Sequence, residues 1–350
     1  MCRKISILVI MGYPLPFPGA GCRRVSHIVH CLSHLSKVYV LTTVSALSLS
    51  KLKLSFESFP TFRIPVIFSD CKMLQLFSVF LAFMYTSFLS FILRAQVLLI
   101  SIPPGNIGLG AFFAGLLLKR KIIIDYRDEY EGSIFSPILY YKSKLYRTML
   151  KHSHAIVAVT NTLAMNLVRN IGNVNRVFCI RNVSNPKIFR PLSEKDRLAI
   201  RRKFAISPED FVIVYNGHLG MSYYNVANVI AAIRILALKG VRNVKLLVIG
   251  KYPPQLNSLL ERFDMTSYVK LVGVVQDPRE LSKIIASGDL GVIPYINHPL
   301  LKGCVPMKFY EYCACGLPVI AMVHNDSELA YLIRKYKVGV TVPPDNPTIL

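Results

Sequence analysis

The chain has 350 residues and a formal charge of +23, from 42 Lys and Arg against 19 Asp and Glu. That length favours two domains and a core that buries about 75% of the unfolded surface without disulfide staples. Hydrophobic residues make up 53% and charged residues 17%, but only one long uncharged run is present, which excludes a multi-span membrane protein.

A basic chain attracts nucleic acid, anionic headgroups or phosphorylated substrates. No RNP motif, zinc-finger spacing or basic heptad region accompanies the charge, so nucleic acid is not the expected partner. The positive residues are spread along the chain, and with the mean hydropathy of +0.43 they point to a membrane face. The eight cysteines follow no secreted-domain pattern. The apolar start is cut by Gly12-Tyr13-Pro14, so a signal peptide is not expected and the thiols are read as reduced and cytoplasmic. Cys304, Cys313 and Cys315 lack paired zinc spacing, and no metal is expected.

In chain order, Ile- and Val-rich runs at 5–10, 38–41, 97–101, 121–126 and 155–159 predict buried parallel strands. Helical stretches at 24–35, 107–118 and 140–151 lie between them. After a run at 176–180, the polar stretch to Lys203 reads as the interdomain connection. The rhythm restarts with strands at 211–216, 244–249, 269–272, 290–293 and 318–321, and helices at 225–238, 254–263, 277–287 and 308–315. The expected fold is α/β: two doubly wound, Rossmann-like parallel-sheet domains, 1–190 and 191–350, facing across a cleft.

The segment Pro306-Met307-Lys308-Phe309-Tyr310-Glu311-Tyr312 carries the clearest chemistry. Lys308 stands in the first turn of a helix, where free amides favour an anion and a mobile ammonium adds to them. Glu311 follows one turn later and can accept hydrogen bonds from the vicinal hydroxyls of a ribose. The alternative is a helix start steadied by its own Glu, with a solvated Lys. His27, His30 and His34 share one face of the first helix and read as polar surface. Gly105 to Gly110 lacks the spacing of a dinucleotide fingerprint.

The segment continues Ala314-Cys315-Gly316-Leu317-Pro318-Val319-Ile320-Ala321. It resembles the donor-site signature of the family 4 (group 1 type) retaining glycosyltransferases of the GT-B fold. Met11-Gly12-Tyr13-Pro14 with Pro18-Gly19-Ala20-Gly21 is similar to that family's first glycine-rich loop. Ser101-Ile102-Pro103-Pro104 and Asp125-Tyr126-Arg127-Asp128-Glu129 resemble loops of members acting on membrane-lipid-linked acceptors. Val157 to Thr160, Asn182, Phe189 to Pro191, Tyr215 to Gly220, Ser327-Glu328-Leu329, Gly339 and Pro343-Pro344-Asp345 follow in the same order.

The resemblance implies an enzyme that moves a sugar from a nucleotide-sugar donor to a lipid-linked or glycan acceptor, in assembly of a surface polysaccharide or glycolipid. Arg127, Asp128 and Lys308 would be its catalytic residues. Glu311, Lys308, His218, Gly220, Gly273, Val274, Gly19 and Gly21 would bind the donor, with no metal or other cofactor. Positive charge and amides would stabilise the leaving diphosphate. Three departures stand out. Gly303 occupies the place of the family's earlier Glu, and His218 and Tyr223 replace the usual Arg and Lys. The chain also stops at Leu350, short of a crossover helix, which suggests a fragment or a different closure. A catalytically inactive scaffold is the alternative function, with a nucleic-acid-binding protein behind it.

The run 73–93 is about as long as a bilayer span. It reads as a transmembrane helix, a helix docked at a membrane surface, or a core helix. Surface docking is expected, because a span would divide the first sheet between two sides of the bilayer. Basic residues nearby, Lys51, Lys53, Arg63, Lys72 and Arg94, would meet anionic headgroups. The protein is therefore expected to be cytoplasmic and peripheral at the inner face of the cell membrane.

Overall fold

The computed structural model describes residues 4–14, 20–45, 55–56, 59–66, 71–102, 105–128, 144–172, 176–220 and 223–350. Two compact units divide between Arg181 and Asn182. The boundary comes nine residues earlier than the expected one after residue 190. The reason is packing: Phe189 lies in the second unit's core, and Pro191 touches Gly316 of that unit.

The first unit contains β1 (Ser6–Pro14), α1 (Ala20–Ser33), β2 (Lys37–Ser45), β3 (Ser55–Phe56), β4 (Phe59–Val66), α2 (Lys72–Ile92), β5 (Val97–Ile102), α3 (Gly105–Leu117), β6 (Lys121–Tyr126), α4 (Lys144–His152), β7 (Ala155–Ala158), α5 (Asn161–Ile171) and β8 (Val177–Cys179). Its sheet runs β3-β4-β2-β1-β5-β6-β7-β8. Every pairing is parallel except that of β3 with β4. Core clusters cover both faces, one around Leu8, Ile10 and Phe112, the other around Val9, Val25 and Val40. The near-continuous apolar runs of β1 and β5 follow from that two-sided burial.

The second unit contains α6 (Glu194–Lys203), β9 (Phe211–Asn216), α7 (Val226–Leu238), β10 (Val244–Ile249), α8 (Gln255–Arg262), β11 (Val269–Gly273), α9 (Pro278–Ala286), β12 (Leu290–Pro294), α10 (Met307–Ala314), β13 (Val319–Met322), α11 (Glu328–Tyr336) and β14 (Gly339–Val342). Its sheet, β11-β10-β9-β12-β13-β14, is wholly parallel. The strand order reverses between β9 and β12, which makes their carboxyl ends the crevice where ligands sit in such sheets.

The polar stretch taken as a linker is in fact α6. Ser193 caps it by accepting from the Asp196 amide, Glu194 and Asp196 fill its first turn, and Arg201, Arg202 and Lys203 its last. Arg201 is buried and donates to Asp289 at 2.6 Å and to the Ser287 carbonyl at 2.9 Å. A run of charged residues is thus pinned to the second core. The run 73–93 forms most of α2; Leu89 joins the core, but the core reading fails for the large side chains on the opposite side. Phe80, Phe88 and Phe91 are all more than half exposed.

Candidate functional site

The switch point of the second sheet is built from three close turns. The Gly217 amide donates to the Ile249 carbonyl at 2.8 Å, and the Gly250 amide to the Gly273 carbonyl at 2.8 Å. Gly250 has φ +136°, and a Cβ there would lie 2.2 Å from the Gly217 carbonyl oxygen. Only glycine allows that approach. The ends of β9, β10 and β11 are thereby drawn together, and predicted Gly273 belongs to this edge, with Val274 exposed beside it.

α10 follows β12 and begins at Met307, directly after Pro306, so Lys308 falls in its first turn and Glu311 one turn on. Both are buried, Glu311 completely. The Asn216 side-chain amide donates to Glu311 Oε2 at 2.9 Å, and the Asn216 backbone amide donates to the Tyr312 hydroxyl at 2.8 Å. β9 and α10 are thus locked together at the predicted site residues. Burial pushes the Lys308 amine well below the usual lysine range, with Glu311 pulling the other way. Burial likewise raises the Tyr312 phenol.

Among the described residues the Lys308 ammonium has no hydrogen-bond partner. It rests 3.6 Å from the ring centroid of Tyr224 and 4.1 Å from that of Tyr215. A cation over aromatic faces is held electrostatically but keeps its donors unused. Tyr224 in turn stacks on Tyr295, with centroids 5.1 Å apart. A Cβ on Gly217 would come within 2.8 Å of Lys308 Nζ, so the turn after β9 lies directly over the amine. His218 is exposed, and its Nδ1 accepts from the Gly220 amide at 2.7 Å, so His218 and Gly220 shape one turn. Asp345 accepts from the Asn297 amide at 2.9 Å and from the Asn228 side chain at 3.1 Å, tying the loop after β14 to the carboxyl side of β12 and the start of α7.

The first unit assembles a second polar group at the carboxyl ends of β5 and β6. Arg24 of α1 donates to Asp125 Oδ1 from Nε (2.9 Å) and Nη2 (2.6 Å), and to the Ile180 carbonyl at 3.1 Å. Ser101 donates to Asp125 Oδ2 at 2.8 Å. All three side chains are buried. Predicted Gly21 sits against Arg127, where a Cβ would meet Nη1 at 2.1 Å. Asp128 reaches the surface. Desolvation raises its carboxyl to about 6, opposed by Arg127, reinforced by Asp125 and opposed again by Arg24. Gly19 lies outside the described residues.

The predicted residues therefore gather in two sets, each within its own unit: Gly21, Arg127 and Asp128 in the first, and Lys308, Glu311, Gly273, His218 and Gly220 in the second. The sequence reading did not single out Arg24, Asn216, Tyr224 or Gly250. Asn216 ends an apolar strand, a position at which a polar residue opens onto the ligand-binding edge, and that signal was available. Among the described residues no three potential metal ligands converge.

Residues 210–350 match the family model described as "Glycosyl transferases group 1". No curated protein matches the chain. Solved structures match over nearly its whole length. Sucrose-phosphate synthase of Thermosynechococcus elongatus gives a TM-score of 0.74 at 15% identity, covering 98% of this chain and 87% of that one. A glycosyltransferase from Rickettsia africae ESF-5 gives 0.71 at 15% identity, covering 99% and 86%. The Anabaena protein HepE in complex with UDP gives 0.70 at 14% identity, covering 99% and 87%. The fold is GT-B, and residues 210–350 form a group 1 glycosyltransferase domain. The family match gives residues 210–350 the character of a sugar-transferring domain.

Proposed function

We propose that this glycosyltransferase is retaining, and that it moves a sugar from a nucleotide-sugar donor to a lipid-linked or glycan acceptor during assembly of a surface polysaccharide or glycolipid. The observation that carries the reading is the buried pair Lys308 and Glu311 in the first turns of α10, beside the switch point of the second sheet. There Glu311, already held on one oxygen by Asn216, accepts from the ribose hydroxyls. Lys308 exchanges its aromatic neighbours for the diphosphate, which meets the helix amides as well. Gly273, Val274, Gly220 and His218 border the nucleotide, and Gly21, Arg127 and Asp128 serve the acceptor or the transferred sugar. Buried positive charge stabilises the leaving diphosphate as it departs, and this mechanism needs no metal. The reaction takes place on the cytoplasmic side, at the inner face of the cell membrane.

A second reading follows from Tyr224, which covers the Lys308 amine at 3.6 Å. If that ring never yields, the second unit is an inactive scaffold. Thermal-shift titration with UDP, GDP and TDP decides between them, because a ligand that binds only the folded state raises apparent stability with its affinity. A shift with one nucleotide, lost in Glu311→Ala, is expected. No shift with any of them removes the donor site, and salt-sensitive binding to random duplex in its place favours a nucleic-acid partner.

A further inference from the structure

α2 is built with its polarity reversed. It buries Gln75, Ser78, Ala82, Thr86, Leu89 and Ser90. Met73, Phe80, Phe88 and Phe91 face out, 79%, 56%, 63% and 73% exposed. Residues 73, 77, 80, 84, 88 and 91 recur every three or four positions, so the exposed side chains form one stripe. A helix covering a sheet in water presents the opposite arrangement, with its apolar stripe inward.

α3 explains how the small, polar face is held down. A Cβ on Gly110 would lie 2.2 Å from the Val79 carbonyl oxygen and 2.7 Å from Ala82 Cβ. The two helices meet backbone to backbone, a mode that small residues permit and that is common between helices in lipid. Beyond Gly110, α3 ends with Phe113, Leu116 and Leu117 at 37%, 44% and 64% exposure.

Within the stretch that carries these helices the charges have one sign. From residue 71 to residue 124 the sequence holds five Lys and Arg and no Asp or Glu. Lys72 opens α2, Arg94 follows its end, and Lys119 and Lys121 follow α3, all four exposed. An apolar stripe rimmed by cations complements acyl chains bordered by anionic headgroups. α2 has the length and hydropathy to cross a bilayer. Crossing is excluded by topology, because β4 and β5, on either side of α2 in sequence, belong to one sheet with β2 and β1 between them.

We propose that the outer stripe of α2, with the carboxyl end of α3, is a monotopic anchor lying in the surface of an anionic bilayer. The inference rests on the reading of the protein as an enzyme of the membrane face, and it assigns that contact to a surface. The chain contains no Trp, so a single introduced Trp reports without background. In the full chain, Phe80→Trp is expected to be quenched by brominated lipid in vesicles containing phosphatidylglycerol, while Phe178→Trp on β8 is not. Wild-type protein should float with those vesicles at least about tenfold more than with phosphatidylcholine alone. The triple variant Phe77→Ser, Phe80→Ser, Phe88→Ser should lose at least about tenfold of that partition, since each ring removes a large apolar area. Its nucleoside diphosphate binding should be unchanged.

An unquenched Trp at position 80, or full partition by a folded triple variant, overturns the anchor. So does a concentration-dependent dimer abolished by the triple variant with no lipid binding, which hands the surface to a second copy. Should the triple variant misfold, the Trp pair still decides. Nucleotide binding without vesicle binding defeats the anchor and leaves the transferase reading standing. Vesicle binding without nucleotide binding does the reverse.

Discussion

The two units share a construction and differ in where they keep polar groups unsatisfied. Each is a sheet, parallel but for β3 in the first, whose strand order reverses beside its first strand, and each buries polar side chains at the carboxyl edge of that reversal. In the first unit, Arg24, Asp125 and Ser101 satisfy one another within 2.6–2.9 Å. In the second, the Lys308 amine has aromatic rings beneath it and, among the described residues, no hydrogen-bond acceptor. A satisfied buried network rigidifies a loop, whereas an unused buried donor marks a place for a ligand. Charge divides unevenly as well. Residues 1–181 hold 21 Lys and Arg against 6 Asp and Glu, residues 182–350 hold 21 against 13, and the surplus lies with the unit that carries α2.

The largest expected effect breaks the satisfied network. Asp125→Ala leaves Arg24 buried without its carboxylate, a kind of change that costs about 3–5 kcal/mol. Denaturant unfolding should show that loss, and a loss below about 1 kcal/mol would mean the pair is solvated in solution.

Next comes Glu311→Ala, where each hydrogen bond to a charged group contributes about 1.5–3 kcal/mol. Nucleoside diphosphate affinity should fall at least about tenfold by calorimetry, with the fold intact. An unchanged affinity in a folded variant would take Glu311 out of the site.

Lys308→Ala should be more selective. The loss for a nucleoside diphosphate should exceed the loss for the nucleoside, because the ammonium acts as a point charge on phosphate oxygens. Equal losses would leave Lys308 a packing role on Tyr215 and Tyr224.

The smallest effect is a pH dependence in the first unit. A carboxyl raised to about 6 from a usual value near 4 holds its proton more tightly in the fold. Stability should therefore fall as pH rises from about 4 to about 6. Asp128→Asn should match wild type below that window and exceed it above, in thermal melts across the range. Parallel melting curves would show that Asp128 is solvated.

Much of this was legible along the chain. Apolar strand runs, helix caps and the Lys308 and Glu311 spacing are local patterns, and the strands at 121–126, 211–216 and 244–249 came out at their expected limits. β4 and α6 were missed for a common reason. Phe59–Val66 contains two prolines, and Glu194–Lys203 is seven-tenths charged with its apolar residues bunched at Leu198–Ile200, so neither shows the period on which such readings depend. Each is held by tertiary partners, β4 by pairing with β2 and α6 by Arg201 reaching Asp289.

The sequence by itself determined the class of fold, the two-part order and the candidate pair on α10, because these depend on residue type at short spacing. Tertiary structure alone decided what surrounds that pair: Asn216 on one Glu311 oxygen, tyrosine rings under the Lys308 amine, and Gly250 pressed against Gly217. It also decided which side of α2 faces out. Composition marks residues 73–93 as apolar nearly all round, and only the close approach of Gly110 to Val79 and Ala82 selects the small, polar stripe for burial. Contacts of that kind join residues far apart in the chain, and no local period records them.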